Sequence, residues 1–247
     1  MKKIVDWRAV IVYYLIACAI SWPFFWWRDI NSKSFWEWDV PIFIKTWTYM
    51  WGPGISAIIC MKIFKKSHEK TMTFFGTSIV KSLLFWFVPL IAMSFLGVKN
   101  EMNINSHLYP ILIWGLLGFV TILGEELGWT GYLQDAFKKI PRIKRSLLIG
   151  IMWELWHFTN RTTQGSLIEI IMRVLIFIIF LSIIAYIISF AIEKTKSTIV
   201  AVTFHAWINI VFGELYSMTA IIIFLCSVVF WILMLLTWNK KIITKTS

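Results

Sequence analysis

The chain is a succession of long apolar segments separated by short polar and charged ones. About 20 apolar residues of helix are needed to cross a hydrocarbon core of about 30 Å, so segments of this kind are typical of membrane-spanning helices. Eight such segments are predicted, at residues 9–27, 46–64, 83–98, 110–133, 146–158, 167–191, 198–213 and 217–238. The fifth and seventh are short and polar, so we expect the other helices to enclose them. The pattern predicts an all-α, polytopic membrane helix bundle that forms one integral-membrane domain over residues 1–247.

The composition supports this interpretation and excludes several classes of protein. Of the 247 residues, 59% are hydrophobic and only 15% are charged, whereas soluble domains contain about 45–50% apolar and about 25% charged residues. A soluble globule, a disordered chain and a collagen-like chain are therefore excluded. The three cysteines, Cys18, Cys60 and Cys226, each lie in an apolar segment, which argues against a disulfide framework.

The basic residues are distributed unevenly between the two sides of the predicted bundle. Eighteen of the 24 Lys and Arg residues fall on the side of the N-terminus, and six fall on the other side or within a helix. Under the positive-inside rule this places both termini in the cytoplasm, which an even number of spans requires. Anionic lipid headgroups explain the net charge of +11. The predicted partners are therefore the lipid bilayer of the cell (plasma) membrane, and no nucleic acid.

A few polar side chains lie within the apolar segments, where burying a charged or imidazole group costs several kcal/mol and marks a functional site. Those that we predict to form a site are Glu125, Glu126, His157, His205 and Asn209, on three predicted helices. With a helical rise of 1.5 Å per residue, Glu125, His205 and His157 lie about 12, 10 and 16 Å from the cytoplasmic helix ends. Half of a hydrocarbon core is about 15 Å. We therefore expect these side chains to meet at one depth in the cytoplasmic half of the bundle.

These residue types together favour hydrolysis. A carboxylate beside an imidazole can take a proton from water, and a second imidazole with an amide can stabilise an oxyanion as neutral donors. Glu125 and Glu126 are about 100° apart on the helix, so one faces the reaction centre and the other holds a neighbour in place. Each residue alone has a plainer interpretation, such as a packed histidine, a proton relay or an asparagine between helices. Their matched depth on three helices favours a common active or ligand-binding site.

Three short motifs occur in a fixed order, each on its own predicted helix. They are Glu125-Glu126, then Trp153 with His157 four residues later, then His205 with Asn209 four residues later. In these motifs the chain resembles the CPBP family of intramembrane proteases, which includes CAAX prenyl proteases and bacteriocin-processing and self-immunity proteins. The resemblance covers residues 110–213 and implies a catalytic core there.

The resemblance also implies a role for each of these residues. Glu125 would be the base that activates water, and His157 would assist it. His205 and Asn209 would stabilise the oxyanion, with Glu126 in support. The implied reaction is hydrolysis of a peptide bond within the membrane.

One position departs from the family pattern. Thr130 stands where the family has an arginine, four residues after Glu126, so Glu126 loses a charged partner on its own helix. A buried, unpaired carboxylate tends to take a proton. We therefore expect Glu126 to be neutral, or paired with an arginine of another helix.

The leading hypothesis is an intramembrane endopeptidase that cleaves a peptide or membrane-protein substrate near the cytoplasmic membrane face. The family has been called a metalloprotease family, and two histidines with a glutamate could hold Zn²⁺. Since there is no His-Glu-x-x-His motif, we expect no obligatory metal, with Zn²⁺ as the alternative. Two other hypotheses are a non-catalytic membrane immunity or scaffold protein that uses the same polar cluster, and a proton-coupled transporter that uses Glu125 and Glu154. The absence of an inverted repeat counts against the transporter.

Overall fold

The computed structural model describes residues 5–31, 49–64, 70–96, 98–99, 105–106, 109–161, 165–214 and 218–239, and nearly all of them are helical. The helices are α1 (Trp7–Asn31), α2 (Gly52–Ile63), α3 (Ile79–Leu96), α4 (Tyr109–Glu126), a π-helical segment that we call the π-turn (Leu127–Leu133), the short α5 (Gln134–Ala136), α6 (Arg142–Arg161), α7 (Leu167–Thr195), α8 (Thr198–Glu214) and α9 (Met218–Leu236). The strands β1 (Val98–Lys99) and β2 (Asn105–Ser106) form a short antiparallel pair between α3 and α4.

The long helices of the described residues occupy the eight segments that the apolar pattern predicted. The ends differ by a few residues, as for α6, which extends the predicted segment 146–158 in both directions. Residues 46–48 of the second predicted segment lie outside the described part of the chain. The all-helical architecture is therefore confirmed.

Two of the described helices are long and apolar enough to cross a membrane on their own. They are residues Trp7–Phe25 of α1 and Leu167–Thr195, which is the whole of α7. Large apolar side chains of α7 are exposed, with Ile168 at 74%, as expected of a surface covered by lipid. An integral-membrane helix bundle accounts for both observations. The number of spans and the cytoplasmic location of both termini stay predictions.

The two short polar helices are enclosed to different extents. The first turns of α8 are almost completely buried, at Ile199, Val200, Ala201, Val202 and Thr203. In α6, Trp153 and Trp156 are buried, but Leu147 and Leu155 on the opposite face are 48% and 41% exposed. The prediction of enclosure is confirmed for the first turns of α8 and wrong for this face of α6. The reason is that the polar groups of the predicted segment 146–158 lie on one face only, which leaves its other face apolar.

Residues 70–77, which we call the strap, connect two parts of the bundle that are distant in sequence. The backbone N–H of Thr198, at the start of α8, donates to the carbonyl oxygen of Thr73 at 3.0 Å. Near the other end of the strap, the backbone N–H of Thr71 donates to the Asp135 carboxylate of α5 at 3.0 Å. The strap therefore fixes the beginning of α8 relative to the segment that follows the π-turn.

Helix α2 packs directly against the backbone where α4 becomes the π-turn. A Cβ atom built on Gly54 would lie 2.7 Å from the carbonyl oxygen of Gly124, and one built on Gly124 would lie 2.8 Å from that of Met50. A Cβ atom on Gly128 would lie 2.5 Å from the Cβ atom of Pro53. Small residues permit such close backbone approach between membrane helices. These glycines therefore fix the position of the α4 end against α2.

Replacing Gly124 with alanine should lower the free energy of unfolding by about 1–3 kcal/mol, because the new methyl group meets backbone atoms that are themselves packed. Gly118→Ala is the matched control, since a Cβ atom at this position of the same helix has no heavy atom within 4 Å. It should be neutral or stabilising by about 1 kcal/mol or less, because alanine favours helix over glycine. Thermal unfolding in detergent compares the two variants. Equal melting temperatures would contradict the close packing.

Candidate active site

The helix that carries the two adjacent glutamates changes its geometry directly after them. α4 ends at Glu126 and continues as the π-turn over Leu127–Leu133, whereas the sequence predicted one regular helix over 110–133. π-helical turns within α-helices are rare and occur frequently at functional sites. Trp129 and Thr130 of the π-turn are each at most 1% exposed. The backbone therefore departs from regular helix next to the predicted site.

Glu125 is buried in an aromatic environment. It is 1% exposed, and its Oε2 atom accepts a hydrogen bond of 2.9 Å from the indole Nε1–H of Trp153 in α6. The Trp153 ring stacks against Trp129 of the π-turn with the ring centroids 6.1 Å apart. Glu125 is also close enough to His205 of α8 for an electrostatic interaction. Side chains from three helices therefore meet at the Glu125 carboxylate.

Glu126 is fully buried and is hydrogen-bonded through both carboxylate oxygens. Oε1 is 2.7 Å from Nδ1 of His205. Oε2 is 2.6 Å from Oγ1 of Thr130, four residues later, and this hydroxyl is also 3.1 Å from the Glu126 carbonyl oxygen. One oxygen is held from α8 and the other from the π-turn, so the orientation of the carboxylate is fixed.

The expectation that Glu126 pairs with an arginine of another helix is wrong. Its partner from another helix is His205, and Thr130, at the arginine position of the family, provides the second contact. The short Thr130 side chain holds Oε2 of Glu126 close to the helix that carries both residues. Oε1 of the same carboxylate then reaches His205 of α8. A neutral Glu126 stays a prediction, because a proton on either Glu126 or Nδ1 satisfies the hydrogen bond to His205.

The two remaining predicted site residues lie one helical turn beyond the buried cluster. Nδ1 of the half-buried His157 is 3.0 Å from the carbonyl oxygen of Trp153, and its ring packs edge-on against Trp156 with the centroids 4.6 Å apart. Asn209 follows His205 by four residues and is exposed. The structure therefore brings the two glutamates and His205 together and places His157 and Asn209 on the more exposed side. The catalytic roles of all five residues stay predictions.

Two groups at the site were not foreseen as hydrogen-bond partners. The sequence identified Trp153 as the aromatic residue of the second motif and Thr130 as a departure from the family pattern. Neither the indole N–H of Trp153 nor the hydroxyl of Thr130 was expected to contact a glutamate. The residue types could have indicated these contacts, since Trp153 and Thr130 both carry hydrogen-bond donors and the buried glutamates are acceptors. The motif spacing alone did not indicate where these two donors point, because their orientation depends on the π-turn.

Among the described residues, no group of three or more His, Cys, Asp and Glu side chains is arranged to hold a metal ion. Zinc sites in proteins use three or four such ligands. The described side chains therefore do not form a zinc site, and no step of the reaction proposed below passes through a metal. That the activity requires no metal stays a prediction.

Comparison with known proteins gives two matches to the same part of the chain. Residues 107–211 match the family model described as type II CAAX prenyl endopeptidase Rce1-like. A relative, CAAX prenyl protease 2 of Methanococcus maripaludis, is 36% identical over 115 residues, which cover 44% of this chain and 41% of that protein. The chain therefore aligns with about two fifths of the length of this relative.

The matched segment runs from the start of α4 to near the end of α8 and contains all five predicted site residues. This segment is similar to the Rce1-like type II CAAX prenyl endopeptidases, a family of membrane-embedded hydrolases. The resemblance inferred from the three motifs is therefore confirmed.

Thr130→Val tests the hydroxyl contact at Glu126. The change keeps the side-chain shape but leaves Oε2 of a buried carboxylate without its partner, which should cost about 1–3 kcal/mol of stability. Thr203→Val is the matched control, because Thr203 is fully buried and its hydroxyl contacts the helical carbonyl oxygen of Ile199 at 2.8 Å. Thermal unfolding should show the larger loss for Thr130→Val. An equal or smaller loss would mean that this hydroxyl does not hold Glu126.

Proposed function

We propose that the protein is an intramembrane endopeptidase that hydrolyses a peptide or membrane-protein substrate near the cytoplasmic face of the cell membrane. The observation that supports this most is the buried pair Glu125 and Glu126, held by Trp153 and His205 within a segment of the CAAX prenyl endopeptidase family. Burying two carboxylates is costly. Donors directed at them from separate helices are what a pre-organised hydrolytic site requires.

In the proposed reaction Glu125 is the general base. Its Oε2 atom accepts the Trp153 N–H, which leaves Oε1 to take a proton from water. The oxygen of that water attacks the carbonyl carbon of the substrate peptide bond. We assign to His157, one turn after Trp153 on α6, a second contact to this water. When the tetrahedral intermediate collapses, the C–N bond breaks and the proton held by Glu125 passes to the leaving amine.

His205 and Asn209 are proposed to stabilise the oxyanion of the intermediate. The contact between Nδ1 and Glu126 orients the imidazole ring and directs Nε2 away from Glu126. Nε2 carries the proton of a neutral imidazole and donates a hydrogen bond to the developing negative charge, while Nδ1 accepts a hydrogen bond from a protonated Glu126. Asn209 lies one turn further on the same face of α8. Asn209 is exposed, so a bound substrate can cover it. Its side-chain amide then supplies the second hydrogen-bond donor to the oxyanion.

The alternative is a non-catalytic membrane immunity or scaffold protein that binds a partner through the same cluster. Thr130 in place of the family arginine would favour this alternative if the substitution left Glu126 without a partner. Since the Thr130 hydroxyl holds the Glu126 carboxylate, the substitution leaves the cluster ordered and no longer favours this alternative. Bacteriocin maturation and self-immunity stay hypotheses about the physiological role.

Glu125→Gln should lower peptide turnover about 100-fold or more, because general-base catalysis contributes about 10²–10⁴ in rate. Glu169→Gln is the matched control: it makes the same change at the exposed capping-box carboxylate of α7, where glutamine also serves. The full chain is purified in detergent and incubated with a peptide library in ¹⁸O-labelled water. Mass spectrometry should find one ¹⁸O atom in each new carboxyl terminus.

Two results would contradict the proposed hydrolysis. One is equal turnover by the wild type, Glu125→Gln and Glu169→Gln. The other is the absence of any labelled product from a folded wild-type protein. If Glu125→Gln then also kept a protective phenotype in cells, the scaffold alternative would be favoured.

Metal removal is a separate test. Because no zinc-ligand group is present among the described residues, turnover should be unchanged within about twofold after dialysis against EDTA and then against 1,10-phenanthroline. Loss of turnover that is restored by stoichiometric Zn²⁺ would contradict a glutamate-driven reaction without metal.

A further inference from the structure

We propose that Trp153 is a positioning residue for this site, whose indole N–H fixes the orientation of the Glu125 carboxylate. The inference rests on the proposed hydrolysis. It adds a residue that acts through the base and does not itself touch the substrate.

Trp153 contacts three of the predicted site residues through three different parts of its structure. Its Nε1–H donates to Oε2 of Glu125 at 2.9 Å, and its carbonyl oxygen is 3.0 Å from Nδ1 of His157. Its ring meets the His205 ring nearly at right angles, with centroids 5.0 Å apart, a favourable edge-to-face arrangement. Residues of all three motifs therefore meet at Trp153.

The direction of the indole N–H is set by packing and not by the glutamate. Trp153 is 1% exposed and stacks on Trp129 with the ring planes 25° apart. Trp129 in turn packs against Trp156 with the centroids 5.7 Å apart. Rings enclosed in this way have few accessible rotamers. The indole therefore decides which Glu125 oxygen is occupied and which one is available for proton transfer.

The chemistry of indole suits this role. Its N–H donates a hydrogen bond but has no lone pair to accept one, so Trp153 occupies one oxygen of Glu125 without competing for the proton. Histidine or tyrosine at this position would both donate and accept, and could exchange a proton with the base. Phenylalanine would keep the ring packing and leave the oxygen without a donor.

Trp153→Phe should lower kcat at least about tenfold, because a hydrogen bond to a charged group is lost, and should leave KM within about twofold. Trp156→Phe is the matched control. Trp156 is also fully buried on α6, and its Nε1 has no hydrogen-bond partner in the described part of the chain. The same volume is therefore removed without loss of a donor, and kcat should stay within about threefold of the wild type.

A second variant keeps the shape of the side chain, so that a folding defect of Trp153→Phe would not obscure the result. Benzothienylalanine, in which sulfur replaces the indole N–H, can be incorporated at position 153 by nonsense suppression. It keeps the ring packing, so it should unfold at no lower temperature than Trp153→Phe and show the same loss of kcat.

The outcomes separate this inference from the proposed function. Full kcat in both position-153 variants, with Glu125→Gln inactive, would overturn the positioning role and leave the hydrolysis intact. An equal loss of kcat at positions 153 and 156 would also overturn it, since only packing would then matter. Full turnover by Glu125→Gln would overturn both proposals.

Discussion

Glu125 and Glu126 are neighbours in the chain, and both are buried among apolar side chains. A carboxylate in such surroundings costs several kcal/mol unless donors or a counter-charge replace the water that it has lost. Successive helical residues are about 100° apart, so two adjacent carboxylates require separate partners. Trp153 of α6 is the hydrogen-bond partner of Glu125, and His205 of α8 is the hydrogen-bond partner of Glu126. This requirement brings α4, α6 and α8 together at one point.

The backbone around the glutamates supports that arrangement. The glycine contacts at Gly124 hold the end of α4 against α2. The π-turn begins at the next residue after Glu126 and presents the Thr130 hydroxyl to it. The strap, residues 70–77, fixes the first residue of α8 and hence the height of His205, seven residues later. Pre-organisation of this kind lets hydrogen-bond donors act on a buried charge without reorganising during a reaction.

The sequence was sufficient for the helix positions and for most of the buried cluster. Long apolar runs have no other stable form in a membrane, and polar groups at that depth are rare enough to be recognised individually. The π-turn was missed because the apolar pattern does not distinguish a π-helical segment from regular α-helix. The family resemblance implied that His157 assists Glu125, whereas the observed donor to Glu125 is Trp153. An arginine of another helix was one of the two alternatives expected for Glu126, and the observed partner is a histidine of another helix.

The contact between Glu126 and His205 can be measured most directly with a double-mutant cycle. Glu126→Met and His205→Phe each remove the polar contact and keep an apolar side chain of similar size, and the double variant removes both partners together. Unfolding free energies in detergent should give a coupling of about 1–3 kcal/mol, because residues in direct contact are strongly non-additive. Each single variant leaves one buried polar group unpaired. Additivity within about 0.5 kcal/mol would contradict a hydrogen-bonded pair at the centre of the site.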